Sequence, residues 1–122
     1  MKKVIAILVF VLSITFQVNA QDQSIKTVSL EQTEGVFTQK ALILSKGTYI
    51  FEISNNNVGH DVGFVLAPKG KTAKKHHIKN AYVTSLVKNN KKATSKKVTL
   101  TKGEYIYFCP LNPTPQYTLK VE

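Results

Sequence analysis

The sequence predicts an all-β protein, an antiparallel Greek-key β-sandwich of seven or eight short strands. Three observations carry that expectation. Runs rich in β-branched and aromatic residues alternate apolar and polar positions at period two. Clusters of Gly, Pro, Asn and Ser punctuate those runs at short intervals. No long helical pattern and no repeated block competes with them.

The chain opens with Lys2 and Lys3, followed by an apolar run from Val4 to Phe16 and by Val18-Asn19-Ala20. This is the order of a signal peptide, with cleavage expected before Gln21. Residues 1–20 are therefore assigned to the leader and 21–122 to one domain, periplasmic or secreted, with no transmembrane segment once the leader is gone. No cysteine follows the apolar run, which argues against a lipid-anchored form. The 102 remaining residues suit a single two-sheet core.

Of 17 basic residues, Lys2 and Lys3 leave with the leader, so the mature chain sets 15 lysines against 7 acidic groups. There is no Arg. Nucleic-acid readers rely on Arg for bidentate contacts to bases and phosphates, so the charge points away from nucleic acid. It fits a steering surface for an acidic protein partner or an anionic envelope surface.

Strand by strand, Ile25, Val28 and Leu30 begin an apolar pattern, and Gly35 interrupts it before Val36-Phe37. Ala41 to Leu44 leads into the turn Ser45-Lys46-Gly47. Thr48 to Ser54 follows, with Tyr49, Phe51 and Ile53 on one face. Asn55-Asn56-Asn57 is a polar loop, and Val58 to Leu66 reads as a strand carrying His60. Lys71 to Asn90 admits one short amphipathic helix, since Tyr82, Val83, Leu86 and Val87 recur at three- and four-residue steps; a basic loop with a single helical turn is the alternative. Asn89 to Ser95 reads as a solvated connector. Lys97 to Thr101 alternates, Lys102-Gly103 turns the chain, Tyr105 to Phe108 runs back, and Tyr117 to Val121 closes it.

Cys109 is the only cysteine. In an oxidising compartment it has no internal disulfide partner, which leaves burial, pairing between chains or metal binding. A thiolate at one strand end and an imidazole, His60, at another are two of the three equatorial ligands of a blue-copper site. Phosphate-binding glycine loops, zinc-ligand spacings and Ser-His-Asp arrangements are absent, and neither an oxyanion donor set nor a third orienting group accompanies Cys109 and His60. The chain is expected not to be an enzyme.

The stretches Ser45 to Asn55 leading to His60, and Val98 to Pro110 with the closing strand, resemble the cupredoxins, the blue-copper family, over most of the mature length. The resemblance implies a cupredoxin β-sandwich and copper binding or copper-related electron transfer. It carries the first His ligand onto His60 and the thiolate onto Cys109. The family's ligand loop aligns without gaps to Cys109-Pro110-Leu111-Asn112-Pro113-Thr114-Pro115. Asn112 then stands in place of the second His, and Pro115 in place of the Met.

Three readings of that loss stay open. The site is degenerate and the domain is a scaffold or binding module; His60 and Cys109 hold Cu(I) at low coordination; or Gln116 and one of His76 and His77 restore a full copper set. The rival to a copper role is a metal-free β-sandwich that docks an acidic envelope partner through its lysine-rich face.

Overall fold

The computed structural model describes residues 24–122; the leader assigned to residues 1–20 and its cleavage site lie outside them. Nine strands form two packed sheets. In chain order they are β1 (Ile25–Thr33), β2 (Val36–Phe37), β3 (Ala41–Leu44), β4 (Gly47–Asn55), β5 (Val65–Pro68), β6 (Lys92–Thr94), β7 (Val98–Leu100), β8 (Gly103–Phe108) and β9 (Tyr117–Val121). One sheet runs β2-β1-β4-β6, with β7 also on β4, and the other runs β3-β9-β8-β5. Among the described residues no helix is long and apolar enough to cross a membrane.

The expected sandwich is present, but its sheets are mixed. β1 pairs parallel to β4 and β3 parallel to β9, while the remaining ladders are antiparallel. Both parallel pairs join strands distant in sequence, so no tight turn fixes their direction. β1 and β4 are in register from Ile25↔Thr48 to Gln32↔Asn55. Their inward positions therefore stand side by side: Val28 with Phe51, Leu30 with Ile53, and Gln32 with Asn55.

Between the sheets, Phe37, Phe51, Phe64, Tyr107 and Tyr117 form an aromatic cluster. Phe37 meets the rings of Phe64, Tyr107 and Tyr117 edge-on, with centroids 5.2–6.0 Å apart, the geometry that ring quadrupoles favour. Full burial of each such ring contributes roughly 1.5–3 kcal/mol. The two tyrosines keep their hydroxyls satisfied: Tyr107 donates to the Gln39 carbonyl at 2.6 Å, and Tyr117 Oη accepts from the Phe37 N–H at 3.3 Å. Burial, and secondarily the proximity of Tyr117, pushes the Tyr107 hydroxyl pKa up to about 12.

Three local expectations are decided or corrected. Of the two readings of Lys71 to Asn90, the basic loop with helical turns is the one that forms, and no helix covers Tyr82 to Val87. The region carries only two single 3-10 turns, Lys74–His76 and Lys79–Ala81, and then a chain held by cross-chain bonds. Val87 exchanges both backbone bonds with Val62, and the Thr84 N–H goes to the Thr94 carbonyl. These distant partners take the donors that an α-helix would use four residues back. The strand expected over Val58 to Leu66 is shortened to β5, because Asn57 and Gly59 have φ of 57° and 101° and break extension. The connector from Asn89 to Ser95 contains β6. Its Ser95 spans the gap before β7: the Ser95 N–H donates to the Phe51 carbonyl, and Ser95 Oγ accepts from the Phe51 N–H at 2.9 Å.

Candidate functional site

β8 delivers Cys109. Tyr105, Tyr107 and Cys109 share one parity, and the last two are buried in the core, Cys109 with 1 % of its surface exposed. After Cys109 the chain closes a tight loop. The Cys109 N–H donates to Thr114 Oγ1 at 3.1 Å, and the Thr114 N–H returns to the Cys109 carbonyl at 3.4 Å. Cys109 Sγ accepts two backbone N–H groups, from Gly63 and Asn112, both at 3.3 Å. The thiol is thereby inserted between the ligand loop and the segment preceding β5.

Asn112, at the position of the expected second imidazole, is 2 % exposed and every polar atom of its carboxamide is engaged. Nδ2 donates to Gln32 Oε1 at 3.0 Å and to the Thr33 carbonyl at 2.9 Å, while Oδ1 accepts from the Gly35 N–H at 2.7 Å. Gly35 has φ of 76°, a left-handed turn that aims its N–H at the carboxamide. Gln32, fully buried, continues the chain of bonds by donating from Nε2 to the Gly63 carbonyl at 2.7 Å. Gly63 therefore receives Gln32 at its carbonyl and serves Cys109 with its N–H. Asn112, Gln32, Gly63 and Cys109 close one connected network, and no buried side-chain nitrogen or oxygen among the described residues lacks a partner.

His60 lies beside this network rather than in it. Its side chain is exposed, with Nδ1 3.0 Å from the Asp61 carbonyl. Its own carbonyl is held by Asn55, whose Nδ2 donates both to His60 O at 2.7 Å and to Val87 O at 3.0 Å. Asn55 Oδ1 accepts from the Val58 N–H at 3.0 Å, so this buried carboxamide shapes the whole Asn-rich loop. Asn89 and Asn90 clamp the same loop from outside, by accepting from the Gly59 and Asn57 N–H groups. On this side the thiol meets the N–H of the buried Gly63.

The remaining candidates are dispersed. Pro115 and Gln116 are exposed. His77 has both ring nitrogens engaged, Nδ1 with the Tyr82 hydroxyl at 2.7 Å and Nε2 with the Thr72 carbonyl at 2.9 Å. His76 is half-buried in the first 3-10 turn. Among the described residues no group of three or more His, Cys, Asp or Glu side chains converges as a metal site requires. The donors do not make up a copper cage of the expected kind: the Asn112 carboxamide is committed to Gln32, Thr33 and Gly35, and Pro115 brings no side-chain donor.

No family model matches the chain, and no curated protein sequence matches it significantly. Solved structures do. Auracyanin A from Chloroflexus aurantiacus, described as a blue copper protein, superposes with a TM-score of 0.65 at 17 % identity, over 81 % of this chain and all of that one. The fold is that of the cupredoxins. Auracyanin B gives 0.63 at 18 % identity over 80 % of this chain and 88 % of its own. An azurin from Methylomonas sp. strain J gives 0.54 at 18 % identity over 79 % and 97 %. At such identities the likeness establishes the cupredoxin architecture and nothing about ligands.

Two residues that organise this end of the cupredoxin sandwich, Gln32 and Asn55, escape sequence reasoning. A signal existed for both. Gln32 continues the inward parity of Val28 and Leu30, and Asn55 that of Tyr49, Phe51 and Ile53. A polar side chain at an inward position demands a buried partner.

Proposed function

We propose that this protein is an exported, metal-free cupredoxin-fold binding module that docks an acidic envelope partner through its lysine-rich face. The observation that carries this reading is the Asn112 carboxamide, bonded to Gln32, Thr33 and Gly35, at the position to which the sequence resemblance assigns a second copper imidazole. Those bonds give the ligand loop a structural anchor that asks for no metal. Lys91, Lys92, Lys96 and Lys97 are exposed around β6 and the start of β7, and the single ion pair among the described residues joins Lys69 to Glu104 elsewhere. Unneutralised ammonium groups of this density favour salt-sensitive association with an acidic surface.

A second reading, a Cu(I) carrier with Cys109 and His60 as ligands, is favoured by one observation. The Gly63 and Asn112 N–H groups aimed at Sγ suit a metal-bound thiolate as well as a thiol.

One pair of measurements separates the readings. The reduced mature domain is titrated anaerobically with Cu(I) and then Cu(II), with absorbance and metal analysis after desalting. Binding to poly-glutamate, standing in for an acidic protein surface, is measured for the parent and for the variant with Lys91, Lys92, Lys96 and Lys97 changed to Gln. The binding-module reading expects no retained metal, and salt-sensitive binding that the variant loses. An intense thiolate-to-Cu(II) band overturns it. Cu(I) retained without that band, and lost in Cys109→Ser, selects the carrier instead.

A further inference from the structure

Beside the Cys109 network the surface opens into a cleft of about 610 Å³, within the range of small-molecule pockets. Four separate segments wall it. Phe108 and Leu111 come from the end of β8 and its loop, Leu86 from the chain bridged to Val62, and Lys74 and His77 from the basic loop; Gly63 adds a bare stretch of backbone. Leu86 and Leu111 are 51 % and 46 % exposed, although both are large and apolar. A methyl group built on Gly63 would sit 3.8 Å from Leu86 Cδ2 and 3.9 Å from Leu111 Cδ1, so these two leucines flank the glycine. The lining is predominantly hydrocarbon and aromatic.

The walls are set before any ligand arrives. His77 cross-links its own loop through Tyr82 and Thr72, and its ring stands edge-on to Phe108 with centroids 6.0 Å apart. In the neutral ring, Nε2 donates to the Thr72 carbonyl, which leaves Nδ1 to accept from the Tyr82 hydroxyl. Both nitrogens are therefore occupied, and the ring serves as a fixed wall. Among the described residues, Lys74 is the one lysine lining the cleft, and no carboxylate lines it. The surrounding sequence is charged in one sense throughout: residues 62–103 contain eleven lysines and no Asp or Glu. A cleft with apolar walls and cationic surroundings concentrates positive potential on whatever enters it.

We infer that this cleft binds a small amphipathic carboxylate, with the hydrocarbon body against Phe108, Leu86 and Leu111 and the carboxylate toward Lys74. Charge complementarity decides the occupant. A neutral apolar molecule leaves the Lys74 field unused, and a cation of the same body is repelled by it. The site is distinct from Lys91, Lys92, Lys96 and Lys97 and holds whether or not those lysines dock a partner.

The test uses three probes with one tail, dodecanoate, dodecanol and dodecyltrimethylammonium, the two ions kept below their micellar concentrations and the alcohol below its aqueous solubility. They are titrated into the mature protein while backbone amide shifts are followed by NMR. Dodecanoate is expected to move the amides of Gly63, Phe108 and Leu111. Dodecanol is expected to bind at least about fivefold more weakly, and the cation more weakly still. Lys74→Glu and Leu86→Asp alter exposed side chains, so both variants are expected to melt near the parent and to bind dodecanoate roughly tenfold more weakly. Equal affinity for the three probes overturns the inference, as does a shift pattern centred away from the cleft or an unchanged affinity in variants that melt normally. Absence of dodecanoate binding up to millimolar concentration overturns it as well.

Discussion

Asn112 and Gln32, 80 residues apart in sequence, meet through a buried hydrogen bond of 3.0 Å between Nδ2 and Oε1. That contact ties the loop after β8 to the end of β1, and so ties one sheet to the other. Neither carboxamide is free to hydrate, since each is at most 2 % exposed. Removing one partner leaves the other's polar atoms in a place water cannot readily reach.

Asn112→Leu is therefore expected to destabilise the domain by about 2–4 kcal/mol, as it strands Gln32 Oε1, the Thr33 carbonyl and the Gly35 N–H together. Adding Gln32→Leu removes one of the stranded groups. The double variant should then cost less than the sum of the single ones, with a coupling of about 1–2 kcal/mol in a double-mutant cycle measured by urea unfolding. Strict additivity would mean that the two side chains do not share a network.

Asn55→Ala should cost about 2–3 kcal/mol, for it orphans the His60 carbonyl and the Val58 N–H and leaves the Val87 carbonyl with only its bond from the Val62 N–H. Its local signature is more informative than its total. Amide exchange should accelerate at Val58 and at Val62, whose N–H bonds Val87, before it accelerates in β8 and β9. A uniform acceleration across both sheets would show that Asn55 supports the fold as a whole rather than the loop.

Tyr107 makes alkaline stability informative. Burial is the main cause of its raised pKa of about 12, against 10.0 unperturbed, because the tyrosinate is penalised in the core. Its contribution to stability is thus fully present below pH 10. It is lost as pH rises from 10 toward 12, where the unfolded chain releases a proton that the folded chain retains. Stability should fall across that window, and tyrosinate absorbance should show one late-titrating hydroxyl. Tyr107→Phe should flatten the slope while losing about 1 kcal/mol at neutral pH from the bond to the Gln39 carbonyl. A slope unchanged by that substitution would assign the effect to other groups.

The strands whose residues alternate cleanly were legible in sequence. Tyr117–Val121 falls where the sequence placed it, Ala41–Leu44 where its apolar run before the Ser45-Lys46-Gly47 turn placed it, and Tyr49, Phe51 and Ile53 share the buried face that period two assigned. Alternation reports which side of a strand is buried but not which strand lies beside it, so the parallel β1–β4 and β3–β9 pairs were invisible. The Tyr82 to Val87 spacing misled for a physical reason. A helix-like period arose in a chain whose Val83 and Val87 are fixed by isolated bridges to Ser95 and Val62. Tertiary bonding outweighed local preference there, as it did for β6, where Lys91 just before it and Lys92 at its start disguised three residues of strand. At the candidate site, the parity that Cys109 shares with Tyr105 and Tyr107 at the end of β8 was legible, while burial was one of three fates left open for its thiol. What surrounds the thiol was not legible, because hydrogen-bonded carboxamides such as Gln32 and Asn112 carry no spacing motif.

Cys109 offers a last measurement that reads the network directly. Its thiol is 1 % exposed and lies under the Gly63 and Asn112 N–H groups, so iodoacetamide reaches it only when the ligand loop opens. Native labelling at neutral pH should be at least ~100-fold slower than labelling in denaturant, which corresponds to an opening free energy of about 2.7 kcal/mol or more. Asn112→Ala removes the side-chain anchor of that loop while keeping the backbone N–H, and should bring the native rate at least ~10-fold closer to the unfolded one. Serine at 109 preserves an acceptor for both N–H groups and should be tolerated better than valine, which fills similar space but accepts nothing. If the thiol of the parent protein labels as fast as a free one, the ligand loop does not rest closed over Cys109. Fast labelling would equally remove the basis for treating the Asn112 network as the structural replacement for a copper ligand.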